Sequence, residues 1–261
     1  MPTPADSPIA ALRSGHDDLL AIVAALSADD LRRPSVATEW DLSQVLGHLG
    51  SGAVIGLGAL EAGLAGEANP GMEFNRQVWA RWDAMDADQR AAEFVPANTA
   101  LVEKYESLDD ATRASLRIDL GFLPAPVDVA TAVRFRLNEF ALHSWDVRAT
   151  LDPSATVRAE AVPELLDQIG ALLGWIGKAD RLGRAASLAV TLTDPDRSFG
   201  LLIGDGVALG EVPAAPDGAL TLPAEAWLRL LTGRLRAEHT PDAVATSGVS
   251  LDELRAVFPG F

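Results

Sequence analysis

The chain has 261 residues, long enough for one large domain or two moderate ones, and carries 37 acidic against 21 basic side chains for a net charge of −16. That acidic excess argues against nucleic acid or an anionic membrane as partner, because both require a basic surface. The absence of cysteine excludes disulfides and thiolate metal sites, so any metal must rest on histidine and carboxylate ligands, and any thiol chemistry must use an exogenous thiol.

No apolar run is expected to reach the ~18–20 residues that a membrane-crossing helix needs. The opening Met1-Pro-Thr-Pro-Ala-Asp6 has no basic stretch, so no signal peptide is expected and a cytoplasmic location follows as the expectation. Ser7 and Pro8 read as an N-cap and a proline at the first helical position. Ile9, Leu12, Leu19, Leu20, Ile22, Val23 and Leu26 then recur at helical spacing, which predicts a helix to about Leu26. His16 lies at the edge of that stripe as a surface or packing histidine. A capped short turn and a charged loop containing Pro34 cover 27–38. Asp41 and Gln44 form a capping box for a helix from Leu42 to about Leu64, and His48 stands two turns into it among Val45, Leu46 and Leu49. Gly47, Gly50, Gly52, Gly56 and Gly58 in the same helix imply close approach by a neighbouring helix or a ligand.

Helical patterns follow over 73–84 and again from Asp86, where Pro96 is expected to kink or split the helix. Residues 108–126 read as a loop with a short helix. A long helix then spans about Val127 to Thr150. These segments predict an up-and-down helical bundle over 1–152. Leu151-Asp-Pro-Ser-Ala155 marks a boundary. Beyond it, 162–176 is an amphipathic helix. The period then changes to two: Leu188, Val190 and Leu192 alternate with Ser187, Ala189 and Thr191. Strands are predicted over 186–193, 198–203, 206–210 and 218–222, with Gly204-Asp205-Gly206 as a hairpin turn. Helices over 223–236 and 251–258 complete an α+β domain over 153–261, so the fold class is α followed by α+β.

The long helix before the boundary carries the chemistry. Glu139 and His143 are four apart and share one face, with Arg136 and Asp146 on or near it. Such a pair is either a structural contact or a two-ligand metal clip. The chain has only four histidines, His16, His48, His143 and His239, and His48 is the best third ligand. Trp40 reads as core, and His239 as a loop histidine without a role.

The arrangement Trp40-x7-His48 and Glu139-x3-His143-x-Trp145-Asp146, with the two parts about 90 residues apart, resembles the mycothiol-dependent maleylpyruvate isomerase family, within the DinB-like group of four-helix metalloproteins. Leu230-Leu-Thr-Gly-Arg234 and the closing Phe258-Pro-Gly-Phe261 resemble the small domain appended in that family, of sterol-carrier-protein-like fold. The resemblance implies a DinB-like four-helix bundle holding a divalent metal on His48, Glu139 and His143. Two histidines and one glutamate leave a position open, as in catalytic zinc sites; iron, nickel or manganese suit the same donors.

The resemblance further implies mycothiol as thiol cosubstrate, its sulfur deprotonated by the metal. The thiolate adds to the cis double bond of maleylpyruvate, the new single bond rotates, and expulsion of the thiol leaves fumarylpyruvate. A transferase relative would instead keep the thioether or displace a leaving group. Arg234 matches a functional arginine of the family and would bind an anionic substrate; its other reading is a helix-end arginine on carbonyls, and Arg236 is the alternative arginine. Trp145 and Asp146 are expected to wall or orient the site. The expected partners are a small electrophile and a low-molecular-weight thiol, and the expected state is a monomer or homodimer. Two other function classes stand beside this one: a hydrolase using metal-bound water, and a non-catalytic DinB-like stress-response module.

Overall fold

The protein is described from a computed structural model covering residues 3–37 and 39–260. Met1, Pro2, Thr38 and Phe261, which belong to segments discussed above, lie outside the described residues. The chain forms two compact units that divide between Asp152 and Pro153.

The first unit contains α1 (Asp6–Val23), α2 (Ala28–Leu31), α3 (Leu42–Ala65), α4 (Gly71–Asp83), α5 (Ala87–Glu106), α6 (Asp110–Ser115), the short strands β1 (Arg117–Ile118) and β2 (Val127–Asp128), and α7 (Val129–Leu151). The long helices α1, α3, α5 and α7 share one core, with α3 and α1 each packed against both α5 and α7. Leu12, Leu19, Leu42, Leu46, Leu49, Phe94, Leu101, Val133, Phe140 and Trp145 fill it.

Several boundaries differ from the sequence expectation for local reasons. α1 begins at Asp6 because Thr3 donates from its backbone N (2.6 Å) and Oγ1 (2.8 Å) to the Asp6 carboxylate, so Ser7 is not the cap. It ends at Val23, shortly before Ser27 caps α2. α5 runs unbroken through Pro96; the buried Phe94, Leu101, Val102 and Tyr105 anchor both halves, so one missing backbone N–H does not split it. The segment expected to be loop folds back as an antiparallel β1–β2 ladder that pairs Ile118 with Val127. Two-residue strands carry no periodicity, which is why the pattern did not reveal them.

α3 is also long and apolar enough to cross a membrane by length and composition, contrary to expectation. Half of its most apolar window is buried within the fold. Its glycines are points of helix packing: a Cβ on Gly50 would overlap the ring of Trp82 on α4, and one on Gly58 would stand 3.1 Å from Phe74. Gly66 ends the helix in the left-handed conformation, with φ of 71°.

A buried polar chain crosses this core. Arg136 Nη2 on α7 donates to Leu49 O on α3 (2.8 Å) and to Asn98 Oδ1 on α5 (2.7 Å). With its oxygen so engaged, the Asn98 amide nitrogen donates to His16 Nδ1 on α1 at 2.8 Å. Thr99 Oγ1 donates to Val95 O (2.8 Å), so at 3.1 Å from His16 Nε2 it is placed to accept. His16 therefore stands as the neutral Nε2–H tautomer.

The second unit contains α8 (Val162–Ile176), β3 (Ala186–Thr193), β4 (Arg197–Ile203), β5 (Val207–Gly210), β6 (Gly218–Pro223), α9 (Ala224–Leu231), β7 (Ala245–Ser247) and α10 (Leu251–Val257). Its sheet has the order β5-β4-β3-β6-β7, in which only β3 and β6 pair in parallel. Leu188, Val190 and Leu192 point to one face and are fully buried, as their alternation requires. α9 stops at Leu231, five residues before the expected end, because Gly233 turns into the left-handed region at φ 72°. Within this unit Arg229 is buried and bonds Glu225 through Nε (2.7 Å) and Nη2 (2.6 Å). Its Nη1 donates to His239 O at 2.6 Å.

Two outcomes follow. Gly50→Ala should lower the unfolding midpoint, because overpacking against a buried indole costs about 1–3 kcal/mol against a helix-propensity gain of ~1 kcal/mol; denaturant titration measures it. His16 is held below the usual histidine range by burial first and by the Arg13 charge second. A group with a depressed folded pKa stabilises fully above its unfolded value, about 6.5 for histidine, and loses that contribution as pH falls. Stability of the wild type should therefore drop between neutral and mildly acidic pH, and His16→Gln should flatten that slope.

Candidate metal centre

Three side chains from two helices converge. The capping box of Asp41 and Gln44 fixes the start of α3: Asp41 Oδ1 accepts from Gln44 N at 2.8 Å, and Gln44 Oε1 accepts from Asp41 N at 2.9 Å. That sets the rotation of the helix and the direction of His48. On α7, Glu139 and His143 lie one turn apart on the face toward α3. His48 Nε2 stands 3.2 Å from Glu139 Oε2, and His143 Nε2 stands 3.8 Å from the same oxygen. One ligand atom from each of the three residues lies within 4.8 Å of the others. The donors are two imidazole nitrogens and a carboxylate, which suit zinc and other borderline divalent ions.

Asp146 stands behind His143. It is buried, and its Oδ2 lies 2.8 Å from His143 Nδ1. This contact fixes the ring so that Nε2 faces Glu139, the carboxylate–histidine arrangement that orients metal ligands. Trp40, expected in the core, is instead partly exposed and covers the cluster. Its ring lies 5.1 Å from that of His48 and 5.8 Å from that of His143, and the two imidazoles are 4.5 Å apart. Trp145, two residues along α7 from His143, is fully buried.

Although its side chain is half exposed, partial loss of water is the largest single influence on Glu139 and opposes its ionisation. The His48 hydrogen bond, the charges of His143 and His48, and Arg136 together outweigh it and bring its pKa to about 2. The carboxylate is thus an anion throughout the physiological range, ready as a ligand. Arg136, one turn earlier on α7, is lowered to about 10 by burial, against the raising effects of Glu139 and Tyr105. It is still a cation at neutral pH.

The remaining candidates fall elsewhere. His16 belongs to the core network described above. His239 is buried in the second unit, with Nδ1 at 3.2 Å from Pro153 O. Arg234 follows α9 in the second unit; its Nη1 donates to Thr232 O at 3.3 Å, a helix-end contact of the kind that was one of its two readings. Arg236 is partly buried, and its carbonyl accepts from His239 N at 3.0 Å. Sequence reasoning missed Trp40 as a site residue, although its position just before the capping box of the His48 helix was a usable signal.

A profile of the mycothiol maleylpyruvate isomerase N-terminal domain family matches residues 12–148. Among solved structures, a crystal structure of a mycothiol-dependent maleylpyruvate isomerase superposes with a TM-score of 0.65 and 14% sequence identity, over 94% of this chain and 93% of that one. A histidine-to-alanine mutant of the mycothiol-dependent maleylpyruvate isomerase gives the same values. At that identity the likeness is one of fold. A search of curated proteins finds no match.

Elemental analysis of the purified protein should find one divalent ion per chain. His48→Ala, Glu139→Ala and His143→Ala should each remove it, and full metal content in any of them would refute the ligand set. Asp146→Asn should retain the ion but weaken its affinity about 10–100-fold, measured by chelator competition.

Proposed function

We propose that this chain, which belongs to the mycothiol maleylpyruvate isomerase family, is a metal- and mycothiol-dependent enzyme acting on a small electrophile of the maleylpyruvate type. The observation that carries the reading is the convergence of His48, Glu139 and His143 from two helices, with Asp146 orienting the second histidine. We take the four long helices as a DinB-like bundle and the second unit as a sterol-carrier-like domain. A cytoplasmic location fits a reaction that draws on a reduced low-molecular-weight thiol.

A divalent ion at His48, Glu139 and His143 would supply a charge that holds a thiol as its anion near neutral pH, where a free thiol of pKa ~8.5 is only slightly ionised. The residues of the chain do the rest. Glu139, an anion at every relevant pH, leaves the site one unit less positive. Asp146 fixes the His143 ring and accepts from its Nδ1–H, so Nε2 remains the donor atom. Trp40 closes one side of both imidazoles against water. No internal cysteine competes with the cosubstrate. We assign Arg234 the role of binding a substrate carboxylate. Cis–trans isomerisation then needs only addition of the thiol to the double bond, rotation, and its departure. An S-transferase would stop at the thioether.

Family membership favours thiol chemistry over the hydrolase and non-catalytic alternatives. Maleylpyruvate turnover by the metal-loaded protein should require added mycothiol. Glu139→Gln should abolish it, and Arg234→Ala should reduce it on the order of 100-fold, the usual effect of losing one stabilising cation or donor. Turnover indifferent to thiol would transfer the assignment to metal-bound water.

A further inference from the structure

Arg136 has an unusual environment for a cation inside a helical core. Its Nη2 makes two hydrogen bonds, both to neutral acceptors: Leu49 O at 2.8 Å and Asn98 Oδ1 at 2.7 Å. Its Nε is buried with no hydrogen-bond partner. Among the described residues no carboxylate is bonded to the guanidinium. Arg136 is partly buried, and a cation held partly out of water with no opposite charge bonded to it is costly unless an anion joins it.

Its position specifies which anion. Arg136, Glu139 and His143 follow one another along a single face of α7, at i, i+3 and i+7. On the facing helix, Gly52 lies one turn beyond His48. A Cβ on Gly52 would stand 2.9 Å from Arg136 Nη1, so the missing side chain is what lets the guanidinium lie across α3. Nη1 therefore reaches the same α3 face that presents His48, one turn along, about 5 Å. Phe140, whose ring centroid is 5.7 Å from the guanidinium carbon, supports it from the other side.

We propose that Arg136 is a substrate-recognition residue, binding a carboxylate of a dicarboxylate electrophile beside the His48–Glu139–His143 cluster. This rests on the functional reading above and deepens it by assigning a second cation to a substrate with two carboxylates, for which Arg234 alone supplies one. Nη2 is committed to the fold and holds the guanidinium plane still. Nη1 is left for the ligand, and such charge-assisted bonds are short and directional. Once Glu139 is given to a metal ion, it no longer offsets Arg136.

The test is calorimetric titration of maleate into the zinc-loaded full chain, without thiol, with zinc content measured for every variant. Arg136→Gln should weaken maleate binding at least about 10-fold at unchanged zinc content. Arg136→Lys, which keeps the charge and loses the fork, should fall between it and the wild type. Gly52→Ala should also weaken binding, by displacing Nη1 while leaving every charge in place. Failure of the wild type to bind maleate, or equal affinity in all four proteins, overturns the proposal. Parallel loss of zinc and maleate in Arg136→Lys and Gly52→Ala also overturns it, since Arg136 would then only brace the helices. The titration involves neither thiol nor turnover. Arg136-dependent maleate binding without thiol-dependent turnover would sink the functional reading alone; thiol-dependent turnover with maleate binding indifferent to Arg136 would sink this inference alone.

Discussion

Arg136 ties three helices at one point. Its Nη2 takes a carbonyl of α3 and an amide oxygen of α5 from a base on α7. The α3 carbonyl belongs to Leu49, next to His48, and the base lies one turn before Glu139. That contact ties α3 to α7 beside His48 and Glu139, whose side chains stand 3.2 Å apart. Hydrogen bonds from a charged donor contribute about 1.5–3 kcal/mol each, comparable to the cost of holding a guanidinium out of water. The net stabilisation is thus small, while the positional constraint is strong. A leucine at 136 would pack and would leave Leu49 O and Asn98 Oδ1 without their donor.

The constraint extends outward through neutral groups. Arg136 on the Asn98 oxygen fixes the amide so that its nitrogen faces His16, and His16 Nδ1 can accept only while the ring is neutral. Direction thus passes from a permanent cation to a titratable ring along bonds that have one satisfactory orientation. Such a chain resists rotation of any one helix, since turning one breaks a bond on another. The metal cluster sits at the solvent end of this network, where Glu139 is half exposed and Asp146 is fully buried. The buried carboxylate orients His143, and the half-exposed one is a candidate ligand. That division follows from depth: an anion deep in the core needs its partner always present, whereas one at the surface can exchange partners with solvent or an ion.

Much of this was legible in the chain. Glu139 and His143 stand out because helical spacing is a local property, and the capping box before His48 marks its helix from Asp41 and Gln44 alone. The alternation of Leu188, Val190 and Leu192 announces the sheet. What could not be read depends on register between distant segments. Nothing local in His16 tells that Asn98, 82 residues away, will face it. Trp40 lies outside any periodic segment, so its place over the imidazoles is fixed only when its loop folds back: Pro34 bridges Asp41, and Ser35 N donates to Trp40 O at 2.8 Å. The glycines of α3 showed that something comes close, but not that Gly50 meets an indole and Gly52 a guanidinium. The parallel pairing of β3 with β6 was equally hidden, because it joins strands that are not consecutive.

Net charge and local charge oppose each other in this protein. The whole chain carries −16, which at long range disfavours an anionic substrate. Screening confines that effect, because the Debye length is about 8 Å at physiological ionic strength. Beside the cluster stand the charges of Glu139, Asp146 and Arg136. Asp146 is committed to His143, and Glu139 faces the ligand position. Arg136 is the only permanent cation on the shared face of α7, and its bonded neighbours are neutral. With both imidazoles neutral, the two carboxylates outweigh Arg136, and a divalent ion there would reverse the sign. An acidic protein can therefore present a locally cationic site once an ion neutralises its carboxylates, provided its own cation is held by neutral acceptors that orient it without cancelling its charge.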